Sequence, residues 1–110
     1  MTDDGLAKPP STTDDARWLV IDGRRWRRTD PELPADLVDA LKSQLGRGRS
    51  AVRSAKSSGA VEGDGALVEA RRRVNLAKHG LGERGPYWWD EPVEVRLARA
   101  REALRELEGL

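Results

Sequence analysis

Three stretches of the chain repeat apolar or small residues at spacings of three and four: Leu37, Leu41, Leu45, Gly48, Val52 and Ala55; Leu67, Ala70, Val74, Ala77 and Leu81; Val93, Leu97, Ala100, Leu104 and Leu107. That rhythm places each set along one stripe of an α-helix. A helix with a single apolar stripe must bury it against another element, and helices joined by short connections become antiparallel neighbours. The expected fold is therefore mostly α, an antiparallel three-helix bundle. The first helix, read over 34–57, runs straight through Gly46 and Gly48, each costing about 1 kcal/mol relative to alanine. A kink or break at 46–48 is where this reading would fail. With 110 residues, no Phe and helices rich in Ala, the chain supports one modest core, and its four tryptophans provide much of the packing volume.

Before the helices, "RWLVIDGRRWRR" sets two short runs of branched and aromatic residues on either side of Asp22-Gly23. Such a pair favours a type I′ turn, so an N-terminal β-hairpin is expected. With those two residues in the turn, Ile21 pairs with Arg24, Val20 with Arg25, Leu19 with Trp26 and Trp18 with Arg27. Alternation then places Leu19, Ile21 and Trp26 on a face expected to meet the core, and Trp18, Val20, Arg25 and Arg27 on the other, an aromatic beside two guanidiniums. Residues 1–15 have no apolar period and carry Pro9, Pro10 and four aspartates; they read as a disordered acidic tail, with residues 16–110 as one domain.

Helix boundaries follow from capping chemistry. Asp30 can cap the first helix, with Pro31 or Pro34 at its first position. Asp64 is placed to cap the second helix, whose last turn holds Lys78 and His79, and Gly80 is expected as the left-handed residue that ends it. Asp90 is expected to cap the last.

Composition narrows the function classes. Cysteine is absent, which excludes disulfides, thiolate metal sites and a thiol nucleophile. The acidic start is unlike a signal peptide and no run approaches a spanning helix, so a cytoplasmic protein without a membrane association is expected. The net charge of +1 conceals a division: residues 16–84 carry fifteen bases against nine acids, a net +6, while both ends are acidic. That permits an anionic partner for the middle segment. Sixteen Arg to four Lys with a single Ile also reflects the bias of a GC-rich genome.

Two clusters invite a functional reading. In "HGLGERGPYWW" (79–89) the glycines and Pro86 permit a tight non-helical path, and Trp88 and Trp89 offer apolar surface that can seal the end of a small core. The competing reading has His79, Arg84 and loop amides gathering an anion beside Tyr87 or a tryptophan. "GLGERG" follows a helix and lacks the Lys-Ser/Thr ending of a phosphate-binding loop. His79 has no recognisable nucleophile or orienting partner nearby, and a metal site would need one histidine with scattered carboxylates. The second cluster is cationic: "RRWRR", "RRR" at 71–73, and a ridge of Lys42, Arg49, Arg53 and Lys56 a quarter turn from the first helix's apolar stripe. Arginine binds phosphate bidentately, and Trp18 or Trp26 can act as a stacking platform.

"DGRRWRRTDP" (22–31) and "LGERGPYWW" (81–89) resemble motifs of a family of small actinobacterial proteins with no assigned function. The resemblance covers about residues 17–89. Relatives are often described as Tol-type biopolymer transporters, yet this chain has neither a membrane anchor nor a proton-carrying membrane carboxylate. The resemblance implies no catalytic residue and no cofactor. The expectation is a non-enzymatic binding or adaptor protein with a protein partner. Its alternative is a nucleic-acid-binding accessory protein using Arg25, Arg27, Arg49, Arg53 and neighbouring tryptophans. The heptad stripe of the last helix also offers a surface for self-association.

Overall fold

A computed structural model describes residues 16–110; the acidic tail expected over 1–15 lies outside the described residues. The elements follow the sequence pattern. A β-hairpin of β1 (Trp18–Ile21) and β2 (Arg24–Arg27) precedes α1 (Ala35–Ser57), α2 (Gly65–Gly80), a 3-10 turn (Trp88–Asp90) and α3 (Val93–Glu108). The protein is mostly α, a hairpin with three helices. Asp22 and Gly23 take positive φ (52° and 78°), as a type I′ turn requires. The strand register is Trp18 with Arg27, Leu19 with Trp26, Val20 with Arg25 and Ile21 with Arg24.

α1 is continuous through both glycines. A Cβ on Gly48 would lie 2.8 Å from Val74 Cγ2 and 3.0 Å from the Val74 backbone nitrogen, so glycine here is the condition for α1 to approach α2. Gly80 plays the same part at the other end, where a Cβ would meet Ala103 Cβ at 2.8 Å and Leu41 Cδ2 at 3.0 Å. Contacts of 48 with 74 and of 41 with 80 run in opposite senses along the two helices, which are thus antiparallel. Leu33, Leu37, Leu41 and Leu45 meet Ala77 and Leu81 of the second stripe and Ala100, Ala103 and Leu107 of α3 in one core.

Several local expectations are corrected. Gly80 is not the left-handed terminator: α2 runs through it to a cap at Leu81 with φ −74°, and Gly82 takes the positive φ of 80°. The close approach to Ala103 and Leu41 explains why glycine stands at 80. Asp64 holds the N-cap position, but its carboxylate accepts from the Val61 amide at 2.9 Å instead of from the helix. Pro34, with no side-chain cap, precedes α1, and Pro92, not Asp90, occupies the N-cap of α3; Asp90 closes the 3-10 turn.

Asp30 is no cap. It is 2% exposed and holds Arg96, 8% exposed, through two parallel hydrogen bonds, Nε to Oδ2 at 2.8 Å and Nη2 to Oδ1 at 2.6 Å. This bidentate bond keeps the Arg96 guanidinium more firmly protonated than usual, against the opposing effect of burial. The Asp30 amide also donates to Leu81 O at 2.9 Å. Bringing Arg96 inward turns α3: its buried face is Arg96, Ala100, Ala103 and Leu107, while Val93 is exposed and Leu97 and Leu104 are half-buried.

Candidate polyanion-binding surface

The stretch 79–89 joins the hairpin to the bundle. Trp88 is 7% exposed, and its indole Nε1 donates to Arg28 O at 3.0 Å. Arg27 Nη1 reaches Gly85 O (2.9 Å), Pro86 O (3.1 Å) and Gly82 O (3.3 Å), and the guanidinium lies 4.6 Å from the Tyr87 ring centroid. Desolvation lowers the Arg27 pKa from its ordinary value, and its Nε is buried without a hydrogen-bond partner. Thr29 Oγ1 donates to Glu83 Oε2 at 2.6 Å. The His79 ring lies so close under Gly85 that a Cβ there would sit 2.6 Å from its Cε1. The loop thus turns carbonyl oxygens toward a resident guanidinium, the wrong polarity for an anion. Nor do His79 and Arg84 converge on one: Arg84 donates to Asn75 Oδ1 at 2.8 Å and faces the helices.

The hairpin presents to this loop the face expected to point outward. Trp18 makes edge contacts with Tyr87 (5.9 Å) and Trp89 (5.6 Å), which stack on each other at 4.7 Å; Arg25 covers Trp18 at 4.1 Å and Arg17 covers Trp89 at 4.9 Å. The face of Leu19, Ile21 and Trp26, expected to meet the core, lines a groove instead. Arg27's bonds to three loop carbonyls fix this orientation, because a half-buried guanidinium without acceptors is more costly than half-exposed aliphatic groups.

The cationic residues of the helices converge where those of the hairpin do not. An open groove of about 750 Å³ lies between α1 and α2, lined by Arg49, Arg53 and Lys56 of α1, Arg71 and Arg72 of α2, and Arg84 of the loop, with Val52, Val68, Val74 and Asn75 between them. No carboxylate is among them. Among the described residues one ion pair involves the lining, Arg71 with Glu62 at 2.7 Å, and both side chains are exposed. Helical spacing accounts for the α1 members. Position 73 of the "RRR" run turns away, its guanidinium donating to Gln44 Oε1 at 2.6 Å.

A second groove, about 590 Å³, opens beside the hairpin, lined by Leu19, Ile21, Trp26, Arg27, Arg28, Thr29 and Glu83 together with Lys42, Arg49 and Lys78 of the helices. Arg49 borders both, so the two make one track. Lys78 Nζ stands 5.1 Å and Arg24 Cζ 4.7 Å from the Trp26 ring centroid. The Lys78 pKa is lowered, first by desolvation and then by the neighbouring charges of Arg84 and Arg49, with Glu83 opposing. Sequence reasoning assigned Lys78 to the helix dipole and missed it as a groove residue. Its spacing of seven from Arg71 held the signal, since seven residues bring side chains back to the same helix face.

Among the described residues no group of three or more His, Asp or Glu side chains is placed to hold a metal ion, and no helix is long and apolar enough to cross a membrane. Compared with known proteins, the chain matches no family model, no curated protein and no solved structure.

Proposed function

We propose that this protein is a non-enzymatic nucleic-acid-binding protein whose phosphate-binding element is the α1–α2 groove. The observation that carries the reading is the gathering of six cations from three chain segments around one concavity without a carboxylate. Like charges held together repel, and a polyanion relieves that repulsion while releasing its own counterions. Two acids near the C-terminus take partners away from the groove: Glu91 pairs with Arg99 and Glu102 with Arg105, both within the C-terminal segment. The α3 stripe that offered a surface for self-association packs largely in or against the bundle core.

The test is fluorescence anisotropy of a labelled oligonucleotide titrated with protein over a range of salt. Log affinity should fall linearly with log salt, and Arg49→Ala with Arg53→Ala should weaken binding and reduce the slope by about 2, one for each phosphate that the arginines no longer neutralise. Thermal unfolding should remain near wild type, because both side chains are exposed. Absence of salt-dependent binding at low ionic strength would refute the proposal.

A further inference from the structure

The two grooves differ in chemistry, and that difference bears on the form of nucleic acid they accept. The α1–α2 groove offers cations and no carboxylate. The hairpin groove is lined by cations as well, but adds to them an indole, two aliphatic side chains, the Glu83 carboxylate and the Thr29 hydroxyl. Glu83 repels a phosphate but accepts a hydrogen bond from an exocyclic amine of a base. Arg49, common to both, fixes the distance between them to that of adjoining parts of one ligand. We infer that the ligand is single-stranded nucleic acid, its backbone in the α1–α2 groove and an unpaired base in the hairpin groove against Trp26.

This inference rests on the reading of the helical groove as a phosphate site. A duplex keeps its bases stacked inside and presents phosphates on a convex surface, so it offers the hairpin groove nothing to hold. An unpaired strand exposes a π-face beside each phosphate, and a charged groove paired with an aromatic platform suits it. Among the described residues Trp26 packs against no other aromatic ring, and the cations Arg24 and Lys78 lie over it. Trp88 is sealed by Arg28, and Trp18 and Trp89 are engaged with Tyr87, Arg25 and Arg17. The cation over Trp26 from its own strand, Arg24, is exposed. An exposed cation–π contact is weaker than the stacking of a base on an aromatic ring, so the base displaces it.

The test compares three probes on the full chain: a short oligodeoxycytidylate, a duplex containing the same strand, and inorganic polyphosphate. The expected result is that the single strand binds tightest, and that Trp26→Leu weakens it about tenfold while leaving polyphosphate affinity unchanged. Equal affinity for single strand and duplex, or an equal loss for every probe in the folded variant, would overturn the inference and leave the phosphate groove standing. Failure of all three probes to bind would overturn both. Should Trp26→Leu lose its helical circular dichroism, quenching of wild-type tryptophan emission by the oligonucleotide but not by polyphosphate supports the inference, and quenching by neither overturns it.

Discussion

Two glycines in α1, two residues apart, have opposite roles. A Cβ at Gly46 would meet nothing within 4 Å, whereas at Gly48 it would press on Val74 from both side chain and backbone. Gly46→Ala should therefore raise stability by about 1 kcal/mol, the helix-propensity difference. Gly48→Ala should lower it by about 1–3 kcal/mol, as overpacking does. Thermal unfolding of the two variants would show midpoints moving in opposite directions, and a parallel shift would contradict the close packing at Val74. The same scale holds the largest expected single loss. Asp30→Asn leaves Arg96 buried with a neutral partner, and breaking a buried ion pair costs about 3–5 kcal/mol. Chemical denaturation would measure it; a loss below about 1 kcal/mol would mean that water replaces the carboxylate.

At the level of elements, regular structure was legible in the sequence and orientation much less so. The hairpin register followed from Asp22-Gly23 because a two-residue turn leaves one pairing. Which face looks inward did not follow, since both carry aromatic and aliphatic groups, and the deciding contacts run from Arg27 to carbonyls as far as 59 positions along the chain. α3 teaches the same: its apolar rhythm was correct as a helix signal, but the ion pair to Asp30 turns the buried face toward Arg96. For the groove, helical spacing exposed Arg49, Arg53 and Lys56 as a ridge, while their meeting with Arg71, Arg72 and Arg84 depends on the packing of Gly48 against Val74. The Arg27 attachment makes its own prediction. Arg27→Met removes all three loop bonds and should release the hairpin, shifting tryptophan emission to the red as Trp18 and Trp89 gain solvent, with helical circular dichroism retained. Unchanged emission would mean that the aromatic cluster alone holds the hairpin.

Across the described residues, charge is sorted by location: cations gather along the track from the hairpin to the α1–α2 groove, and Glu91 and Glu102 take partners from their own C-terminal segment. Lys78 is where that sorting acts on protonation, because desolvation and then Arg84 and Arg49 lower its pKa while Glu83 only partly opposes them. The unfolded chain, with an ordinary lysine, holds its proton to higher pH than the folded one. Between the two pKa values it therefore binds more protons, and stability contributed through Lys78 rises as pH climbs through that alkaline window. Binding has the opposite sign: a bound phosphate favours the charged amine, so affinity falls over the same window as Lys78 gives up its proton first. Unfolding midpoints and oligonucleotide affinity measured from neutral pH upward should thus diverge. Lys78→Arg, which stays protonated throughout, should flatten Lys78's share of both trends. If that variant loses affinity with rising pH as steeply as wild type does, the lysine is not in contact with the ligand, and the track ends at Arg49.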